Sequence, residues 1–327
     1  MNRRDTVLAL ATLGVAPLLS RAQQVPPRVH RVGLLSAGPL ITDKSPYGTP
    51  LIHGLATRGY ALDKNLILER RAMEGQPDRL PRLLDELAAS KVEVIVAAGY
   101  LPVLAAKQRT TIPVVAFNAG DPVRSGLVSS LARPGGSITG ISDVSAELTP
   151  KRMDLLRQIA PQLRRVAIIW NINDLSMTLR YEASESGAKA LGISIQPLPV
   201  RTIADFEQAF ASILREKSDA VLLVADGFTI SNRKLVFDFA TAHRMPIMYE
   251  LDFIVRDGGL ISYAPDLEES LDRVAHLVDR ILKGTKPAEL PFEQPTRFRL
   301  AINLKTAKGL GLRVPPALLV AADELIE

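Results

Sequence analysis

The segment from Pro113 to Gly140 constrains the fold more than any other. Val114–Phe117 is an apolar, β-rich run, short enough to read as a buried strand. Asn118-Ala119-Gly120-Asp121-Pro122 breaks it. The residues from there to about Ala132 are expected to be helical, Pro134-Gly135-Gly136 stops them, and Ser137–Ile141 reads as another strand. A strand, an acidic loop, a helix and a strand in that order form the unit by which an open α/β sheet presents a site at its carboxyl edge.

The same alternation continues on both sides. Upstream, strands are expected at Val29–Ser36, Leu66–Ala72 and Val92–Ala97. Helices fall within Thr42–Gly59, over Asp78–Ala89 (Leu80, Leu83, Leu84 and Leu87 on one face) and over Val103–Gln108. Downstream the pattern restarts with a helix at Lys151–Ile159 and a strand at Arg165–Trp170. Helices follow at Ser176–Leu191, Thr202–Lys217, Ile230–His243 and Leu267–Lys283. They alternate with strands at Ser194–Pro199, Ala220–Ala225, Pro246–Tyr249, Leu260–Tyr263 and Phe298–Leu304, and short helical pieces close the chain. Strands joined by helical crossovers give parallel sheets covered on both faces. The expected fold class is therefore α/β, with two doubly wound parallel-sheet lobes. The first lobe takes residues 28–140 plus 264–294 and the second 141–263 plus 295–327. Crossings are expected near Ile138–Asp143, Leu260–Ala264 and Pro295–Arg299.

Composition narrows the function. A 327-residue chain with 47% hydrophobic and 23% charged residues can build two full cores. The net charge of +5 is too mild for a nucleic-acid partner, and no basic run is interleaved with aromatics. Without cysteine there is no disulfide, thiolate zinc site or thiol nucleophile. Arg3-Arg4, the apolar stretch Val7–Leu19 and Ser20-Arg21-Ala22 before Gln23 read as a cleavable export signal over residues 1–22. The arginine pair resembles a twin-arginine signal, but Thr6 stands where a hydrophobic residue is usual, so the route stays open. The mature protein is expected in the periplasm, with no membrane insertion of its own.

Enzyme signatures are scarce. There is no phosphate-binding loop, dinucleotide fingerprint or Gly-x-Ser-x-Gly elbow, and His30, His53, His243 and His276 lie far apart. No cofactor or metal is expected. Polar residues instead collect at predicted strand ends: Ser36, Tyr100, Asp121, Asn171, Asn173, Asp226, Tyr249 and Glu250. Asp121, Asp226 and Glu250 suit an ammonium, free helix N-termini at Leu101–Val103 and near Ser176 suit a carboxylate, and Tyr100, Trp170, Phe228 and Tyr249 suit a planar or apolar body. Together they point to a zwitterion such as an amino acid. Each has a plainer reading. Capping explains Asp121 and Asp226 about as well as ligand contact, and explains Asp174 better. Trp170 reads as core.

Long stretches resemble the substrate-binding proteins of ABC transporters, in the family that includes tryptophan-binding proteins. The matching pieces include Val32-Gly33-Leu34-Leu35-Ser36, Gly75-Gln76-Pro77-Asp78-Arg79-Leu80-Pro81, and Gly120-Asp121-Pro122-Val123 through Gly136. They continue with Lys151-Arg152-Met153-Asp154-Leu155-Leu156, Tyr249-Glu250, Gly258–Tyr263, Ile281–Gly284 and Gln294 through Lys308. The resemblance implies a type I periplasmic-binding fold: two lobes, three crossovers, a ligand in the cleft, hinge closure, and delivery to an ABC permease without catalysis. The loop Ala37–Pro50 departs from the family's usual segment, and Asn171-Ile172-Asn173 stands where Asn-Pro-Asn is frequent. The expected function is an exported solute-binding protein. The alternative is a periplasmic sensor of the same fold that signals to a membrane receptor.

Overall fold

The computed structural model describes residues 28–327, so the expected signal at 1–22 lies outside the described residues. The first half builds β1 (His30–Ser36), α1 (Gly48–Thr57), β2 (Leu66–Ala72), α2 (Leu80–Ala89), β3 (Val94–Ala98), α3 (Tyr100–Arg109), β4 (Val114–Phe117) and β5 (Ile138–Gly140). The strands form one parallel sheet in the order β2-β1-β3-β4-β5. Every residue of β3 and β4 is buried, as expected for strands covered on both faces. Val94 and Val96 point into one core and Ile95 and Ala97 into another, the period-two alternation of a strand.

The second half continues with α4 (Thr149–Ile159), β6 (Arg165–Asn171), α5 (Leu175–Ala190), β7 (Ser194–Val200), α6 (Ile203–Glu216) and β8 (Ala220–Leu223). Then come α7 (Gly227–Ser231), α8 (Arg233–His243), β9 (Ile247–Tyr249), α9 (Asp252–Arg256), β10 (Ile261–Pro265), α10 (Leu267–Leu282), β11 (Phe298–Asn303), α11 (Leu304–Gly309), α12 (Pro316–Ala321) and β12 (Glu324–Ile326). The second sheet runs β12-β11-β10-β9-β8-β6-β7, parallel except where β11 meets β10. α10 packs on α1 and the first sheet, with Leu271, Val274 and Val278 in the core they share. The chain thus passes between the sheets three times. Two of these segments are paired directly, through a bridge between Ile141 and Glu293.

One expected helix is absent. From Asp121 to Ala132 the chain forms turns. Asp121 does cap, accepting from the N–H groups of Val123 (2.9 Å) and Arg124 (3.0 Å), but only one turn follows. Gly126 then takes φ +74°, which ends any right-handed helix, and the Ser130 hydroxyl bonds the backbone of Arg133. The helix expected over Ile230–His243 is two helices, and α9 and β12 were not anticipated.

Candidate functional site

Each sheet reverses its strand order at one point. The chain leaves β1 for β2 on one side and returns to β3 on the other; β6, β7 and β8 repeat the manoeuvre. Register places Ser36 beside Ala98, and Ile169 beside Leu223, so the loops after each pair diverge and leave a crevice. The two crevices face each other and enclose a cavity of about 270 Å³, the size of a small solute. Ser36, Gly99, Tyr100 and Asn118 line it from the first sheet, and Asp174, Met177, Asp226 and Ile230 from the second. Tyr47 and Phe253 meet edge to face across it, with ring centres 5.8 Å apart.

The lobes are in contact. The Ser176 hydroxyl donates to the Ala119 carbonyl at 3.2 Å. A Cβ on Gly227 would lie 2.4 Å from the Ala37 carbonyl carbon, and one on Gly120 would lie 1.8 Å from Ser176 Oγ. Both positions bring backbone from one lobe against the other at a distance only glycine permits.

Three carboxylates line the cavity from the second lobe: Asp174 and Asp226, both buried, and the exposed Asp257, which is paired with Arg233. Asp226 caps α7, where Oδ1 accepts from the Thr229 N–H at 2.8 Å; its Oδ2 accepts from Asn171 Nδ2 at 2.6 Å. Asp174 caps α5, accepting at Oδ1 from the N–H groups of Ser176 (2.9 Å) and Met177 (3.3 Å). Among the described residues nothing donates to its Oδ2. Both acids are more than nine-tenths buried. Burial raises the Asp174 carboxyl most, and the Asp226 charge adds to it, bringing it to about 7; burial also raises Asp226, against its donors.

From the first sheet, α3 aims its N-terminus at the same space. Gly99 sits at φ +103° before it, and among the described residues no side chain caps it. The free N–H groups of its first turn and its dipole favour negative charge there. Tyr100 lines the cavity with its hydroxyl 3.5 Å from the Ser125 carbonyl, and burial, with the Asp174 charge second, raises its phenol. Ser36 accepts at Oγ from the Gly38 N–H at 3.1 Å, holding the loop after β1 in a tight turn.

The structure therefore gathers Ser36, Tyr100 and Asp226 around one cavity, with Asn171 behind Asp226. The other expected residues lie elsewhere. Asp121 caps its turn outside the cavity. Asn173 is exposed, and its N–H donates to Asn171 Oδ1 at 3.0 Å. Tyr249 is core, packed edge-on against Phe237. Glu250 is sealed in an ion network, accepting from Arg152 (2.5 Å), Arg180 (2.8 Å) and the Ala225 N–H (2.9 Å). Arg180 pairs in addition with Asp143, which accepts from the Gly120 N–H at 3.0 Å. Trp170 stacks on Tyr181 at 4.0 Å, in the core as expected. Asp174, for which capping is the better explanation from sequence, both caps and lines the cavity.

The Asp174 shift has a measurable sign. The unfolded chain releases this proton near pH 3.8, and the folded chain near 7. Between those values the folded state binds more protons, so this group's stabilising contribution is full below pH 4 and is lost as pH rises through 7. Asp174→Asn, which keeps the cap, is expected to flatten the fall in melting temperature of the ligand-free protein between pH 5 and pH 8. Identical pH profiles for the two proteins would show that Asp174 titrates as an ordinary carboxylate.

Comparison with known proteins decides the family. The profile of the family described as "ABC transporter substrate binding protein" matches residues 47–326. The chain belongs to this family. A curated relative, the tyrosine-binding protein of Clostridioides difficile, is 23% identical over 272 residues, covering 83% of this chain and 77% of the relative. A conserved domain protein from Vibrio cholerae superposes with a TM-score of 0.84 at 24% identity, over 91% of this chain and all of that one. An ABC domain from Streptococcus pneumonia in complex with L-Trp gives 0.82 at 22% identity, with the same coverage. These likenesses establish a two-lobed α/β architecture of the type I periplasmic-binding kind. Among the described residues no helix is long and apolar enough to cross a membrane.

Proposed function

We propose that the protein captures an amino acid, or an amine closely related to one, between its lobes and delivers it to an ABC permease in the periplasm, without chemical conversion. The observation that carries this reading is the pair of buried acids, Asp174 and Asp226, at one switch point, facing the free N-terminus of α3 at the other. The acids suit an ammonium, whose charge offsets the cost of burying theirs. The N-terminus of α3 suits a carboxylate. Ile41, Tyr47, Met177, Ile230 and Phe253 leave the remaining wall apolar, which suits a hydrocarbon or aromatic body. The relatives named for tyrosine and found with L-Trp support that class.

Closure is tested at Gly227. Its φ lies outside the left-handed region, so alanine meets no obstacle in its own backbone. The added methyl would instead strike the Ala37–Gly38 backbone of the other lobe, 2.4–2.6 Å away. Gly227→Ala is expected to hold the lobes apart and weaken binding of a hydrophobic amino acid at least ten-fold by titration calorimetry, with the melting temperature of the ligand-free protein unchanged. Unaltered affinity would place the ligand outside the interlobe cavity.

A further inference from the structure

The cavity's charge balance narrows the ligand further, on the basis of the reading above. Asp174 and Asp226 bring two buried carboxylates, and Asp257 a third, exposed one. Positive charge to meet them is scarce on the cavity's walls. Arg233 lines the rim, but its Nε and Nη2 hold Asp257, at 2.9 and 2.8 Å, and its Nη1 donates to the Ile230 carbonyl. Arg180 is the cation beside Asp174 on α5, and it is committed to Asp143 and Glu250. Tyr100, facing from α3, is neutral at ordinary pH, with its phenol raised further by burial. The N-terminus of α3 contributes about half a charge. A zwitterion adds no net charge to such a site, and its carboxylate has only the partial charge of the α3 N-terminus to meet it. An ammonium without a carboxylate matches the site better.

We infer that Asp174 is a specificity-determining residue that makes the cavity select a net-cationic amine with an apolar body over the amino acid of the same skeleton. Oδ2 of Asp174, which has no protein donor among the described residues, takes an ammonium hydrogen, while Oδ1 remains the cap of α5. Asp226 receives the same ammonium, braced by Asn171 and Thr229. An incoming ammonium displaces the proton held by the acid pair, so capture releases a proton near neutral pH and tightens as pH rises.

Matched pairs test this. Tyrosine and tyramine, phenylalanine and 2-phenylethylamine, and leucine and 3-methylbutylamine differ only in the carboxylate. Each is titrated calorimetrically into the wild-type protein and into Asp174→Asn, at pH 7 in two buffers of different ionisation enthalpy. The wild type is expected to bind at least one amine ten-fold or more tighter than its amino acid, with proton release. Asp174→Asn, which keeps the cap and so the fold, is expected to lose both the preference and the proton release. Equal or tighter binding of the amino acid by the wild type would overturn the inference while leaving the proposed function standing. A preference that survives in Asp174→Asn would overturn the role of Asp174. Failure of every pair to bind the wild type would overturn both readings.

Discussion

Glu250→Gln is expected to destabilise the protein by about 3–5 kcal/mol, the cost of removing one partner from a buried ion pair. Glu250 is 3% exposed and joins Arg152, which is fully buried, to Arg180. Without its charge, two guanidinium groups share the single carboxylate of Asp143, and the Ala225 N–H loses its charged acceptor. The damage is local to the carboxyl edge of the second sheet, where α4, α5, β8 and β9 meet. Urea unfolding should show the midpoint moving sharply downward. Below that midpoint, ligand affinity should change less than ten-fold, because Glu250 does not line the cavity. A loss under 1 kcal/mol would mean the network is solvated in solution. A collapse in affinity with normal stability would return Glu250 to the ligand.

Asp226 has the opposite signature. Asp226→Ala is expected to weaken binding of an amine-bearing ligand by about 2–5 kcal/mol, as when a buried charge loses its partner. Alanine also removes the cap of α7 and strands Asn171 Nδ2, so some stability falls with it. Asp226→Asn separates the two effects. Its Oδ1 keeps the cap, while its Nδ2 faces the Asn171 amide donor, so the melting temperature should fall less than in Asp226→Ala while affinity falls as far. An asparagine variant with wild-type affinity would reduce Asp226 to a structural cap.

The fold was largely legible because its strands are unambiguous. Leu66–Ala72 and Val114–Phe117 were placed to the residue, since short apolar runs between polar breaks admit little else in an alternating α/β chain. The segment after Asp121 misled for a physical reason: an acid before proline opens a turn as readily as a helix, and Gly126 decides between them through its left-handed backbone. The site was legible in part. Reading every strand end as part of it found Ser36, Tyr100 and Asp226, which follow the strands at the switch points. The same rule brought in Asp121, Tyr249 and Glu250, which follow β4 and β9, away from those points. Strand order comes from tertiary pairing, and no local pattern along the chain announces it. Tyr47 and Phe253 were missed for a related reason. One stands just before a helix that follows a proline-bearing loop and the other lies in a five-residue helix, and neither setting has a periodic signature. Asp174 was recognised as a cap, and one carboxylate oxygen suffices for that. The other oxygen's freedom appears only once the lobes are assembled around it.

An ammonium held between the lobes would show in a thermal-shift series on the purified protein, using hydrophobic amino acids, their decarboxylated amines and the corresponding carboxylic acids without the amine. A ligand that binds only the folded state at a hundred times its Kd adds about 2.7 kcal/mol, enough to raise the melting temperature by several degrees. A rise is expected with compounds that carry the ammonium and none with the amine-free acids. A rise with the amine-free acids, and none with any amine, would rule out an ammonium site between the lobes.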